Sequence, residues 1–448
     1  MVAHKMRLSE IPSYVVDLAK KLGATDVAAK LVEAQRIMIR FSNNEVTVSK
    51  VFLENSVDVF VMIEKHRAAT TINTLSIKNI RRSVENIVRT AKSTPPADIY
   101  APLPQGPFTY NLDLMRAPKI PLEPDTLIGY VESAIKSSLE VGAERAAGTL
   151  NASRSKITLA TSGDVYASQE LAGIEISIRA FVSEFATGHA VSVAGKLEDF
   201  NPEEAGRTAG EIAKAASNPK PGEPGEYMAL LGPMVFADIV NQVGSLSSAF
   251  LVDAGQSFLV DKIGSEVASR KFTLIDDPTL AGTLGARAFD DEGVPTKRKI
   301  IVENGILKTY LHNSMTAKKF GVETTGNAGI IVPYPWNLIV EPGDKSFEDL
   351  LAEIDDGIYV TNDWYLRYQN YRTGDFSTIP RDGMFRIKHG EIAESIRDLR
   401  ISDNMLRILN NIVDLSESRV WVRWWEVEIP TLAPYALIGK LNFTKSRM

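Results

Sequence analysis

Residues 218–226 read NPKPGEPGE, three prolines and two glycines in nine positions, and no other stretch limits the fold so sharply. Proline fixes φ and lacks the amide hydrogen that a helix interior or a central strand needs, so neither element can run through this segment. The main boundary of the chain is expected here, with a C-terminal domain over 227–448. A chain of 448 residues exceeds one core of ordinary size, which agrees with such a division.

Ahead of that boundary the apolar spacing predicts two α+β units, 1–93 and 125–218, joined by a crossing over 94–124. A helix at 9–23 places Ile11, Val15, Leu18 and Leu22 on one face, with Ser9 as its expected cap and Gly23 at its end. Strands are predicted at 37–41, 46–52, 57–63 and 68–72, with Asn43-Asn44 as a turn. A second helix, with Ile77, Ile80, Val84, Ile87 and Val88 in one stripe, closes the unit. Eight of the 22 prolines fall in 94–124, so that segment should be extended.

The pattern then starts again. A helix carrying Leu127, Val131, Ala134 and Ile135 precedes strands near 145–152, 155–161, 165–180 and 184–195. Asn201-Pro202-Glu203-Glu204 supplies a cap, a first-turn proline and acids at the positive end of another helix. Helix, four strands, helix thus occurs twice, the pattern of a structural duplication that shares order rather than identities. Beyond 227, Asn304-Gly305 and His389-Gly390 mark hairpin turns, and helices are expected at 233–250, 312–320, 346–355 and 403–414. The fold class is α+β with mostly antiparallel strands.

Several function classes are excluded or disfavoured by composition. A net charge of −6, with Lys78, Arg81 and Arg82 as the densest basic stretch, gives no stripe to neutralise phosphates, so nucleic acid is not an expected partner. No run of about 18 apolar residues or signal-peptide core appears, and a cytoplasmic protein without a membrane segment is expected. The absence of cysteine removes disulfides, thiol nucleophiles and thiolate metal ligands together. Ser245, Ser247 and Ser248 lie together without a neighbouring histidine, and no G-x-S-x-G elbow is present.

In the C-terminal half a series of blocks recurs in characteristic order: Ser257-Phe258-Leu259, Ile263-Gly264, Asp276-Asp277-Pro278, Phe289-Asp290-Asp291-Glu292-Gly293, Glu303-Asn304-Gly305, Thr325-Gly326-Asn327-Ala328 and Gly374-Asp375-Phe376-Ser377. This series resembles the TldD/PmbA family, once described as modulators of DNA gyrase, most strongly over 226–415. The resemblance implies a two-domain TldD/PmbA-like fold. It also implies that catalytic relatives hold zinc with a His-Glu-x-x-x-His motif on the first helix of the C-terminal domain and a later cysteine. Aligned through the blocks downstream, Val240, Asn241 and Ser245 stand at the first His, the Glu and the second His. Valine has no donor atom, asparagine is no base at neutral pH, and a serine hydroxyl is a poor zinc ligand.

Nothing else in the sequence replaces that motif. The five histidines, His4, His66, His189, His312 and His389, have no short ligand spacing between them. Asp276, Asp277, Asp290, Asp291 and Glu292 offer oxygens to a hard cation, although acids flanking Gly293 and Pro295 equally build turns. By resemblance these loops border the cleft, which makes them candidates for peptide or partner contacts. Thr325, Gly326 and Asn327 present amides to a peptide or form a loop of positive φ. Trp424 and Trp425, beside Trp421 and Arg423, suit an interface or ordinary packing.

The expected function is therefore the non-catalytic, TldE/PmbA-type subunit of a TldD/TldE-like metallopeptidase that processes or degrades peptides. The chain itself carries no cofactor in this reading. Zinc belongs to a TldD-type paralogue, paired with this chain in a heterodimer or larger assembly, and a homodimer is the other arrangement considered. Two alternatives stand beside it: an autonomous metal-dependent peptidase built on Asp276, Asp290 and Glu292, and a non-enzymatic regulatory binding protein.

Overall fold

The computed structural model describes residues 6–446. Helix α1 (Ile11–Lys21) buries Ile11, Val15, Val16 and Ala19. Ser9 does not cap it; the residue lies in a short 3-10 turn, where the Arg7 amide donates to the Glu10 carboxylate at 3.0 Å. Three strands follow, β1 (Asp26–Ser42), β2 (Glu45–Ile63) and β3 (His66–Ile72), then α2 (Ile77–Ser93), capped by Ser76. Asn43 and Asn44 take φ of 53° and 67°, the left-handed pair that a two-residue hairpin requires.

The second unit has the same order: α3 (Pro124–Glu140), β4 (Arg145–Thr161), β5 (Tyr166–Phe181), β6 (Thr187–Ala194) and α4 (Pro202–Ala215), capped by Asn201. Each unit is helix, three strands, helix, which corrects the expected four strands. The polar stretches taken as breaks stay in register. Leu53 to Ser56 pair with Gln35 to Val32, and Ser153 and Arg154 pair with Arg36 and Gln35. A solvated strand edge and a turn have similar composition, but ladder hydrogen bonds satisfy the backbone regardless of side-chain polarity.

Both units share one six-stranded sheet, ordered β3-β2-β1-β4-β5-β6, with the antiparallel β1–β4 pair at its centre. The duplication in order therefore appears as two mirrored triplets of one sheet. Helices α3 and α4 touch backbone to backbone through Gly206 and Gly210; a Cβ at Gly206 would lie 2.0 Å from the Ala134 carbonyl oxygen. The proline-rich crossing is extended apart from one 3-10 turn, and its Tyr110 hydroxyl donates to the Gly293 carbonyl at 2.7 Å.

The C-terminal half is built on a twelve-stranded mixed sheet around the strand Thr431–Lys445. That strand pairs antiparallel with Gly225–Leu231 and Ile412–Val422, and parallel with Leu338–Val340. Helix α5 (Pro233–Leu246) lies in the largest core and is buried on nearly every side. The expected helix at 233–250 divides, with a second piece at Ala249–Asp253; the others shorten to Ser314–Phe320, Phe347–Ala352 and Met405–Asn410. The last shortens most because its expected end enters the sheet as Ile412–Val422. The turns at Asn304-Gly305 and His389-Gly390 have positive φ at both residues.

Among the described residues, no helix is long and apolar enough to cross a membrane.

Candidate functional site

The loop blocks of the C-terminal half assemble into one buried network. Asp276, fully buried, accepts from Trp336 N and Asn337 N at 2.9 Å on one oxygen. Its other oxygen accepts from Lys299 Nζ at 2.9 Å and Asn327 Nδ2 at 2.7 Å. Asp277 accepts from Thr279 N at 3.0 Å. Asp290 takes three backbone amides, from Glu292, Val294 and Ala328. Burial, reinforced by Glu292, still pushes its carboxyl well above the ordinary range.

Asp291 binds Lys30 Nζ of β1 at 2.7 Å, which ties the N-terminal sheet to this loop. Glu292 accepts from the Ser314 amide and hydroxyl at 3.0 and 2.7 Å, and burial raises it to about 7. The Thr325 hydroxyl bridges the His312 backbone, Gly326 adopts φ of 71°, and the Gly326 carbonyl accepts from Trp336 Nε1 at 2.9 Å. Asp276, Asp290, Asp291, Glu292, Thr325, Gly326 and Asn327 thus come together, but their polar atoms hold loops to one another. Among the described residues, no group of three or more His, Cys, Asp or Glu is arranged to hold a metal ion. His4 lies outside the described residues.

The three positions aligned with the zinc motif sit on α5. Val240 is fully buried in the core and Ser245 is partly exposed. The Asn241 amide donates to the Ile429 carbonyl and the Thr431 hydroxyl, both at 2.8 Å, and accepts from Ile429 N at 3.2 Å. The Asn241 side chain, expected from the resemblance to match a catalytic glutamate, therefore fastens α5 to the start of the central strand. Zinc does not fit this donor set: one position has no lone pair to offer and the next has its amide committed on both atoms.

Trp424 and Trp425 form a separate cluster. Trp424 is buried and packs edge-on against His189 at 4.8 Å, whereas Trp425 is 48% exposed and meets Trp364 and Tyr365 at 5.3 and 5.4 Å. A chain of polar groups that the sequence reading missed lies behind them. Ser177 Oγ is 2.8 Å from His189 Nε2, and His189 Nδ1 is 2.9 Å from Asn362 Nδ2. Asn362 Nδ2 also donates to Asp382 at 3.3 Å. The carboxylate keeps the NH2 end of that amide turned inward, so Nδ1 accepts and Nε2 carries the hydrogen towards Ser177. Burial lowers the His189 pKa to about 4. A neutral imidazole of this tautomer cannot take the serine proton, and the pair is structural rather than a nucleophile and base.

A second missed group is acidic. Asp238 of α5 and Asp363 are fully buried, with one oxygen of Asp238 and both of Asp363 unpartnered. Burial raises Asp363 to about 8, with the nearby Thr378 hydroxyl acting against the shift and the charge of Glu426 adding to it. Asp238 is also raised, chiefly by burial and then by Asp363 and Glu426; Gln242 and Arg367 act against these. An aspartate inside the apolar run MVFADIV was the available sequence signal.

A carboxyl with a raised folded pKa holds its proton more tightly when folded, so its contribution is full below the unfolded value and is lost as pH rises through the folded one. Asp363→Asn should therefore match the wild type near pH 4 and exceed it in stability above pH 8. The gain should grow by at most about 1.4 kcal/mol per pH unit between those limits, and thermal melts across that range measure it.

The family models for the PmbA/TldA metallopeptidase C-terminal domain and central domain match residues 224–445 and 118–216. The chain belongs to the TldD/PmbA family. A metalloprotease of Methanocaldococcus jannaschii is 36% identical over 200 residues, 42% of this chain and 43% of that protein. The chain thus spans less than half the length of that relative. A metalloprotease PmbA homolog of Haemophilus influenzae is 25% identical over 93% of this chain and 92% of its own.

Among solved structures, a Thermotoga maritima protein crystallised under a provisional DNA gyrase modulator name superposes with a TM-score of 0.83 and 25% identity. It covers 98% of this chain and all (100%) of its own. TldE of Thermococcus kodakarensis gives the same TM-score, 0.83, at 20% identity over 97% and 100%, which speaks to the fold alone.

Proposed function

We propose that this chain is the non-catalytic, TldE/PmbA-type subunit of a TldD/PmbA metallopeptidase, paired with a zinc-bearing TldD-type relative in the processing or degradation of peptides. One observation carries the reading: Asn241, at the position of the catalytic glutamate, spends its amide on Ile429 and Thr431 beside the buried Val240. A zinc-bound water needs three protein ligands, an open position and a nearby base, and the described residues supply no such group. The carboxylates of the alternative peptidase, Asp276, Asp290 and Glu292, are engaged by backbone amides, Lys299 and Ser314.

Co-expression with a TldD-type protein that retains His-Glu-x-x-x-His tests the proposal. Co-purification is expected, with peptide cleavage by the pair that chelators abolish. The purified chain alone should neither cleave peptides nor retain stoichiometric transition metal; either result in the isolated chain would sink the reading.

A further inference from the structure

A cavity of about 250 Å³ opens at the seam between β4–β5 and the loops around 284–287, 334–336 and 428–430. Ser153 and Ser155 of β4 line it, and its apolar lining includes Leu284 and Pro430. Gly173 lets the loop approach: a Cβ there would stand 1.9 Å from Leu284 Cδ2. Arg287 reaches into this space with its guanidinium 4.3 Å from the Trp336 ring centroid. The Trp336 ring is kept in place by the T-shaped contact with Tyr334 at 4.5 Å and its own Nε1 bond to the Gly326 carbonyl.

Arg287 differs from the other arginine of this cavity. Arg423 is neutralised by Glu175 at 2.6 Å, whereas no acidic side chain among the described residues pairs with Arg287. A guanidinium stacked on an indole keeps its edge N–H donors free, and that edge suits a planar carboxylate held by two parallel hydrogen bonds. Glu428, exposed on another wall, offers an acceptor for backbone N–H groups. The cavity also adjoins Ile429, the residue that Asn241 of α5 fastens at both its N–H and its carbonyl.

We infer that this cavity receives the C-terminal carboxylate of a peptide, with Arg287 as the anion partner, Ser153 and Ser155 as hydroxyl donors, and the Leu284–Pro430 walls against a small apolar last side chain. The inference rests on the peptide-handling reading above. It makes the chain a contributor of substrate contacts and not only a scaffold for its partner.

The test is titration calorimetry of the full chain with acetyl-tetraalanine as the free acid and as the C-terminal amide. The acid is expected to bind and the amide to bind about 10-fold or more weakly, the size of a lost charge-assisted pair. Arg287→Gln should erase that difference, and Arg287→Lys should restore part of it. If Arg287→Gln fails to fold, Ser153→Tyr fills the cavity from another element and should erase acid binding as well.

Equal binding of acid and amide, no binding of either at millimolar concentration, or a preference that survives Arg287→Gln would overturn the site. Tighter binding of inorganic phosphate that displaces the peptide would reassign it to a different anion. These outcomes are separable from the subunit proposal. Loss of the acid preference with cleavage by the pair intact removes only the subsite. Acid-selective binding by the chain, with neither co-purification nor cleavage by the pair, removes only the subunit reading.

Discussion

Asp382→Asn is expected to destabilise the protein by about 3–5 kcal/mol, the range for leaving one partner of a buried ion pair unmatched. The Asp382 carboxylate is fully buried and accepts from Arg179 Nε and the Thr187 hydroxyl at 2.8 Å, and from Trp364 Nε1 at 3.0 Å. Arg179 and Thr187 belong to β5 and β6, whereas Trp364 and Asp382 belong to the C-terminal sheet. One carboxylate therefore joins the two sheets. Asparagine is the informative replacement because it tolerates the φ of 57° at this position, so lost charge is separated from backbone strain.

Arg179 and His189 draw the carboxyl below its ordinary value of 3.8 against the opposing effect of burial. With a depressed folded pKa, the contribution is present above the unfolded value and is lost as pH falls through the folded one. The difference between wild type and variant should accordingly shrink below about pH 4. Calorimetry at neutral pH should show the variant melting in two steps, because the seam between the sheets is weakened more than either core. A single transition at the wild-type temperature would refute this account.

Such a junction could not be found by reading along the chain. Arg179 and Asp382 are 203 positions apart, and neither lies in a spacing that marks a site. What was legible was local. Asn201 caps the helix it was expected to begin, and the Asn-Gly and His-Gly turns have the required φ. The duplication was legible in order but miscounted in strands, since Leu53-Glu54-Asn55-Ser56 has the composition of a turn and the hydrogen bonds of a ladder.

The site follows the same division. The expectation that Val240, Asn241 and Ser245 stand where relatives carry zinc ligands rests on residue type and resemblance alone. What Asn241 does instead was not visible, because Ile429 and Thr431 reach it only through the parallel and antiparallel pairings of the central strand. Arg287 is illegible in the sequence for a related reason. Its meaning lies in lacking an acidic partner, and the sequence around it, GARAFDDEG, places three acids within five residues. The fold turns those acids elsewhere, to Lys30, to Ser314 and to backbone amides.

Asp276→Ala should have the other large effect, again about 3–5 kcal/mol, since it leaves Lys299 charged and buried without its partner. The carboxylate lies where four segments meet, and it receives two backbone amides, one side-chain amide and one ammonium. Alanine frees all four donors in a place that water does not reach, and each unsatisfied donor costs about 1–3 kcal/mol before relaxation. The consequence extends beyond stability.

Trp336 is held by Asp276 through its backbone amide and lies under Arg287, so loosening that loop moves the guanidinium away from the cavity. Lys299→Met separates the two effects. It removes the buried cation and leaves Asp276 as the unpaired charge, still bonded to Trp336, Asn337 and Asn327, and methionine fills most of the lysine volume. The double variant Asp276→Asn/Lys299→Met should recover much of the stability lost in Asp276→Ala, as chemical denaturation can measure. Acid-selective peptide binding should survive in Lys299→Met and fail in Asp276→Ala. If both single variants lose binding equally, the route from Asp276 through Trp336 to Arg287 is wrong and global loosening is the cause.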